Sequence, residues 1–435
     1  MKQLLPYSKS IVAWMLVIPT LAWCYIGLFL TMSLWYPAGL SINAWQSHLL
    51  HFSVIYVLWL IVFFSYRLFD WESLRTIQTL FGRLAAALVA CLVIAVLYFY
   101  FQPALLITPR RFLLAHLFIS GFGIIVWYFL MRRAVSTNRR RNVYVHSSQT
   151  SSDEVRGLIE NYKLLGLNFA GSLTEVGSLS RGSIVIVPVQ AELTSEDSQS
   201  LLKLRNHGVR FVEYHELYEN LTRTVHLAAL SDLWFIHSID YRSRQLFDLF
   251  KRMIDIAFGF MGTIVFLVSY PIVGLVTKLT SKGSVIFSQD RVGENGKIFT
   301  LYKYRTMNSF SENNTWTAPG DSRITRFGRF LRTLRIDELP QSLNILKGDM
   351  SIVGPRPEQV NIVRELEKEI PYYSERHSVK PGLTGWAQLH VYAGSLEETR
   401  QKLQYDLYYI KHRSLLFDLE IIAKTFYSVI TFSGR

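Results

Sequence analysis

The chain has 435 residues, half of them apolar, and a formal net charge of +13. Apolar content this high and this uneven points to membrane segments before soluble domains. The excess of lysine and arginine requires an anionic partner, and with so much of the chain suited to lipid, headgroups and phosphorylated substrates rank ahead of nucleic acid, for which no role is expected.

Four runs are long enough to span a bilayer: Ile11–Met32, Leu49–Tyr66, Leu84–Phe101 and Phe112–Met131. The first is too long for a secretory signal and lacks a small-residue cleavage site. Tyr36-Pro37-Ala38-Gly39 marks a turn after it. Cys24 and Cys91 lie inside these runs and read as small core residues, neither a disulfide framework nor a metal site. Lys2 and Lys9 precede the first run, Arg67, Arg75 and Arg83 occupy the second loop, and Arg132, Arg133 and Arg139–Arg141 follow the fourth. The first loop has no lysine or arginine, and the third has only Arg110 and Arg111. Residues 1–141 are therefore expected to form a four-helix transmembrane bundle with both ends in the cytoplasm. No charge falls within the four runs, which speaks against a transporter path.

From residue 142 to 230 the texture changes. Asn142–His146, Ser183–Val189 and Val209–Tyr214 read as strands, and Asp153–Leu165 and Glu196–Asn206 as helices. This alternation predicts a small Rossmann-like, doubly wound α/β domain. The turn after its first strand, Ser147-Ser148-Gln149-Thr150-Ser151, has no glycine and so lacks the dinucleotide fingerprint. A structural spacer, or a module that pairs two chains into a homodimer, is the favoured reading over nucleotide binding.

Residues 231–435 are basic, aromatic and mixed α/β in pattern. Ile256–Val276 carries no charge. A fifth spanning helix is one reading. Arg242, Arg244, Lys251 and Arg252 before it, and Lys278 and Lys282 after it, favour cytoplasm on both sides. Pro271 removes one backbone hydrogen bond and bends a helix. A re-entrant helix at about 254–277, turning near Pro271, satisfies both observations.

Ser322–Arg335 places arginine at every third position: Arg323, Arg326, Arg329, Arg332 and Arg335, with Phe327, Phe330, Leu331 and Leu334 between them. Such a helix suits the headgroup layer, and equally a solvated charged face. Asp337-Glu338 follows. Beside five arginines, two adjacent carboxylates can serve phosphate chemistry: arginine neutralises the phosphates, one carboxylate attacks phosphorus, and the other holds Mg²⁺. On spacing alone, Asp-Glu before Leu339-Pro340 is also an ordinary acidic helix start.

Thr325–Glu358 reads TRFGRFLRTLRIDELPQSLNILKGDMSIVGPRPE and is similar to the central signature of the bacterial sugar transferases, the polyprenyl-phosphate phosphoglycosyl transferases. Gln289–Met307 (QDRVGENGKIFTLYKYRTM), Val379–Gln388 (VKPGLTGWAQ) and Tyr405–Leu419 (YDLYYIKHRSLLFDL) resemble three further blocks of that family, in the same order. The resemblance covers about Arg244–Thr431, and four spans plus an α/β module match its large, membrane-bound, exopolysaccharide-type subgroup. It implies a monotopic catalytic domain on the cytoplasmic face of the bacterial inner membrane, carrying a sugar-1-phosphate from an NDP-sugar, of UDP-sugar type, to undecaprenyl phosphate. It implies Asp337 as nucleophile and Glu338 as the Mg²⁺ ligand. Arg356 would bind the nucleotide-sugar or its phosphates, with Lys303, Arg305, Arg332 and Arg335 as further phosphate ligands. The family's hydrophobic segment is re-entrant with a proline at its bend, where Pro271 stands here. Some members have serine directly before that proline; this chain has Tyr270 there and Ser269 one place earlier.

Overall fold

The computed structural model describes residues 9–36, 42–69, 74, 77–101, 110–137, 141–145, 152–162, 167–173, 179, 182–187, 199, 201–202, 208–238, 245–281, 283–307, 323–391 and 395–430. Pro37–Gly39, Arg75, Arg139, Arg140, Ser147–Ser151, most of the helix expected at Glu196–Asn206, Arg242, Arg244 and Lys282 lie outside the described residues. The chain divides into two compact units, Met1–Leu217 and Tyr218–Arg435.

The first unit opens with α1 (Lys9–Trp35), α2 (Ile42–Ser65), α3 (Ile77–Tyr100) and α4 (Arg110–Thr137), one on each predicted apolar run. All four are long and apolar enough to cross a membrane. In lipid, helices gain little from burying apolar surface against one another, so small residues and polar links do the joining. Gly27 of α1 leaves no room for a β-carbon beside Ser120 of α4, and Gly123 of α4 none beside the Trp23 ring. The Tyr56 hydroxyl of α2 donates to the Cys24 carbonyl at 3.0 Å and meets His116 Nε2 of α4 at 3.0 Å. Trp59 Nε1 donates to the Cys91 carbonyl of α3 at 2.9 Å. Both cysteines are buried and free.

Four parallel strands follow in the order β2-β1-β3-β4: β1 (Arg141–Val145), β2 (Leu167–Ser172), β3 (Ile184–Val187) and β4 (Arg210–Glu213). This is a doubly wound order, with its switch between β1 and β3. The helix α5 (Ser152–Asn161) buries Val155 and Ile159. β2 was not expected from the sequence. Its residues, LNFAGS, include polar and small types because it is an edge strand, with Leu167 its one buried residue.

α6 (Tyr214–Thr222) leads the chain into the second unit. There Glu219 holds Lys411 at 2.8 Å and His412 at 2.6 Å, while Arg223 pairs with Glu420 at 2.6 Å and lies 4.5 Å above the Trp386 ring. After the short α7 (Asp232–Ser238) comes α8 (Gln245–Thr280), a single helix that continues through Pro271. An antiparallel hairpin, β5 (Ile286–Val292) and β6 (Ile298–Tyr304), precedes α9 (Arg326–Thr333) and α10 (Gln341–Lys347). The strands β7 (Ser351–Val353) and β8 (Gly382–Thr384) pair in parallel. Helices α11 (Val360–Glu369), α12 (Leu396–His412) and α13 (Leu415–Ile430) complete the unit. Its core gathers Val292, Leu301, Ile345, Met350, Trp386, Leu403, Leu407 and Ile421.

One side of α8 packs on this unit along most of its length. Asp255 accepts from Ser351 Oγ at 3.0 Å and from the Ile352 amide at 2.9 Å. Thr263 donates to Ser342, and Phe266 and Val273 join Val285, Tyr304 and Leu331 in a second core cluster. The opposite side exposes Met253, Ile256, Phe260, Ile264, Leu267, Val268, Ile272 and Leu275. Proline has no N–H to offer the preceding turn. Near it, Ser269 Oγ and the Tyr304 hydroxyl donate to the Phe266 carbonyl at 3.0 and 3.4 Å.

Candidate active site

The sequence between the arginine row and α10 turns sharply. Thr325 caps α9, its hydroxyl accepting from the Gly328 amide at 2.8 Å. Gly328 sits where a β-carbon would overlap the Thr306 carbonyl, so α9 lies directly against the end of the hairpin. Residues three apart on a helix shift by about 60° around its axis, so the arginines do not share one face. Arg326, Arg329 and Phe330 are exposed. Arg332 is drawn inward, its Nε donating to Thr306 Oγ1 at 2.9 Å.

Arg335 then adopts the left-handed conformation, φ 53° and ψ 22°. A non-glycine residue there is strained, at a cost of order 1–3 kcal/mol. The reversal starts a 3₁₀ turn, Ile336–Glu338, in which Asp337 is buried. α10 fixes the turn from the other end. Asn344, fully buried, donates to the Thr300 carbonyl at 2.8 Å and accepts from the Tyr302 amide at 3.2 Å, tying α10 to β6 beside Lys303.

Glu338 is held on both oxygens: Arg356 Nη2 approaches Oε1 at 3.1 Å and Arg335 Nη1 approaches Oε2 at 3.4 Å. Burial pushes its carboxyl up, but Arg356, Arg335 and Lys303 outweigh that and hold it below the usual carboxylate range. Asp337 behaves in the opposite way. Burial and the neighbouring Glu338 raise it to about 6, against the pull of Lys303, Arg332 and Arg356. Cations beside a carboxyl ordinarily favour its ionised form; here the buried turn and the adjacent carboxylate outweigh their pull, and Asp337 still ionises by neutral pH. Burial, Arg291 and Arg332 lower Lys303 to about 8. The two carboxylates, next to one another in the chain, thus differ in environment and in the direction their titration is pushed.

Of the residues selected from sequence, Asp337, Glu338, Lys303, Arg332, Arg335 and Arg356 come together. Arg305 is buried and turns towards Gly283 and Ser284, with Nη2 3.2 Å from Ser284 Oγ. Pro271 stands on α8 beside Tyr270, whose ring stacks on Tyr304 at 6.4 Å. Sequence reasoning assigned no role to Arg291, Glu358, Arg376, Lys402 and Asp406, which pack behind Arg356. Glu358 and Asp406 lie inside the quoted motifs, yet nothing in their spacing shows that they meet. Two oxygen-rich carboxylates ringed by cations can accommodate a phosphate dianion and a hard metal ion in one place.

Residues 246–432 match the family model for bacterial sugar transferases. Over 192 residues the chain is 43% identical to a UDP-N-acetylgalactosamine-undecaprenyl-phosphate N-acetylgalactosaminephosphotransferase of Aeromonas hydrophila, covering 43% of this chain and 45% of that protein. It is 39% identical over 193 residues to a UDP-glucose:undecaprenyl-phosphate glucose-1-phosphate transferase of Caulobacter vibrioides, covering 43% of this chain and 72% of the relative. It is also 37% identical over 190 residues to an exopolysaccharide production protein of Rhizobium leguminosarum, covering 42% of this chain and 95% of the relative. The chain spans less than half of the Aeromonas protein. It belongs to the bacterial sugar transferase family.

Proposed function

We propose that this chain transfers a sugar-1-phosphate from a UDP-sugar to undecaprenyl phosphate through a covalent intermediate on Asp337. The observation that carries this reading is the buried Asp337 beside a Glu338 already engaged by Arg356 and Arg335, with Lys303 and Arg332 acting on the same carboxyl. One carboxylate is committed to the cations; the other keeps an oxygen available.

In the first step an Asp337 carboxylate oxygen attacks the sugar-linked phosphorus. The new O–P bond forms as the phosphoanhydride bond breaks, and UMP leaves with the bonding electrons. In the second step a phosphate oxygen of undecaprenyl phosphate attacks the same phosphorus, and the carboxylate leaves unchanged. The product is an undecaprenyl-diphosphate-sugar. Lys303, Arg332 and Arg356 offset charge that builds on the phosphoryl oxygens in both steps.

Mg²⁺ fits the donor set. Among the described residues no group of three or more metal-binding side chains occurs. Mg²⁺ commonly takes only one or two carboxylates and fills its octahedron with water and substrate phosphates. Each Glu338 oxygen has a lone pair beyond the one its arginine takes, so Glu338 would hold the ion there, with Asp337 adjacent, and the ion would neutralise phosphate charge. A divalent cation would also relieve the repulsion by which Glu338 raises Asp337.

Both substrates meet at the cytoplasmic surface of the membrane if α8 is re-entrant. Its contacts with one α/β unit, from Asp255 to Val273, support that placement. The first four helices then hold the protein in the inner membrane, the α/β module pairs two chains, and the product enters exopolysaccharide assembly. Incubation with UDP-sugar alone, followed by acid quench and peptide mass analysis, tests the central step. A sugar-phosphate adduct on the peptide containing Asp337 is expected. A sequential kinetic pattern without adduct would instead make Asp337 a base or metal ligand.

A further inference from the structure

Arg356 sits between Pro355 and Pro357, so its segment has lost two backbone donors. It is fastened through its oxygens instead. The Gly382 amide donates to the Pro355 carbonyl at 2.9 Å, Arg376 Nη2 to the Arg356 carbonyl at 3.0 Å, and Arg291 Nη1 to the Pro357 carbonyl at 3.1 Å. The Glu358 carboxylate takes Lys402. Among these anchors Arg376 is the most enclosed, at 1% exposure. Its Nε and Nη2 both reach Asp406 Oδ2, at 3.0 and 2.7 Å, and Nη1 donates to the Tyr373 hydroxyl at 3.1 Å. Asp406 is equally buried, on α12.

An ion pair this deep is not explained by stability alone. Desolvating two charges costs several kcal/mol per ion, and apolar replacements are often neutral or stabilising. What the pair supplies is a fixed direction. Arg376 has one hand on Asp406 and the other on the carbonyl of the residue whose side chain reaches Glu338. We propose that Arg376 and Asp406 are positioning residues that set Arg356, and through it Glu338, for phosphoryl transfer. This deepens the transferase reading above and rests on it.

The test uses the full chain in detergent, with UDP-sugar and undecaprenyl phosphate. Asp406→Asn keeps the shape and removes the charge; Tyr373→Phe removes one hydroxyl from Arg376. Each is made alone and together with Arg356→Ala. Asp406→Asn should lower kcat about tenfold to a hundredfold, the scale of a small misplacement of reacting groups, with a much smaller change in KM. Tyr373→Phe should act in the same direction more weakly. Neither should lower turnover further once Arg356 is alanine, because residues that act through one another are not additive. Equal losses in both backgrounds would overturn the proposal, and Tyr373→Phe carries the cycle if Asp406→Asn does not fold. A second readout is independent of turnover: phenylglyoxal labelling of Arg356, followed by mass spectrometry, should be faster in Asp406→Asn. Faster labelling in a protein whose wild type shows no transfer would keep the positioning role and remove the transferase reading. Unchanged labelling, with additive losses in an active protein, would remove the positioning role alone.

Discussion

Arg356 Nη2 stands 3.1 Å from Glu338 Oε1, across 18 residues of chain. The contact joins the segment after β7 to the 3₁₀ turn that carries Asp337, so the carboxylate next to Asp337 is held by a segment distant in the chain.

Replacing Arg356 with lysine keeps the charge but not the planar fork that grips carboxylate and phosphate together. Arg356→Lys should lower kcat/KM for UDP-sugar by about tenfold, and Arg356→Ala by about 10²–10³, the usual loss for a donor to a charged transition state. Initial rates of UMP release over a range of UDP-sugar check this. A lysine variant at the wild-type rate would show that the fork is not used.

The site should respond to pH on both sides of neutrality. Asp337, raised to about 6, must be ionised to attack, so kcat/KM should rise with pH through about 6. Lys303, lowered to about 8, must be protonated to meet phosphate, so the rate should fall above about 8. The acid limb belongs to the coupled Asp337–Glu338 pair and not to one carboxyl. Lys303→Arg should move the alkaline limb upward, because arginine stays charged. An unmoved alkaline limb in that variant would assign it to another group.

Asp337 also sets a trade between chemistry and stability. A carboxyl whose folded pKa lies above its unfolded value destabilises the fold when ionised. The cost is absent below the unfolded pKa near 3.8, grows between there and about 6, and is complete above about 6. Asp337→Asn should abolish transfer and raise the thermal midpoint at pH 7.5, by a free energy on the order of 1–3 kcal/mol. The advantage should shrink as the pH falls from 6 to 4. A variant less stable than wild type at pH 7.5 would contradict the raised pKa.

Much of this was legible because it is local. The four apolar runs announced α1–α4, and Asp337, Glu338, Lys303 and Arg356 stand in contiguous motifs. What escaped depends on distance or context. β2 is an edge strand whose Asn168, Gly171 and Ser172 carry no strand signal. Arg305 shares a motif with Lys303 and strand alternation would put both on one face, but β6 ends at Tyr304 and Arg305 turns to Ser284 instead. The Arg376–Asp406 pair joins residues 30 apart, and no periodicity marks it. The rise of the Asp337 pKa needed the depth of the turn, which composition does not contain.

The placement of α8 gives the last prediction. At 1.5 Å per residue, the stretch from Asp255 to Val273 is about 27 Å long, close to the thickness of the hydrocarbon core. Asp255 is bonded to the Ile352 amide at one end of that stretch, and Val273 packs with Val285 and Tyr304 at the other. β5, β6 and β7 belong to one unit, which cannot lie on both sides of a bilayer. A helix crossing the membrane would have to shed one set of contacts, whereas a helix dipping in from the cytoplasm keeps both and offers its apolar side, Phe260 to Leu275, to lipid. Single cysteines at Lys278 and Lys347, in a chain with Cys24 and Cys91 changed to alanine, should stay unlabelled by an impermeant maleimide in intact cells and label after permeabilisation. A cysteine at Tyr36, in the first loop, should label from outside and serve as the positive control. Labelling of Lys347→Cys in intact cells would place the active site on the wrong side of the membrane for nucleotide-sugars and sink the re-entrant reading. Pro271→Ala adds a second test. The restored N–H would bond the Leu267 carbonyl, four residues back, and remove the ring's crowding there, one residue from the Phe266 carbonyl that takes Ser269 and Tyr304. Lower activity at unchanged expression is expected, and full activity would show that the helix holds its course without the proline.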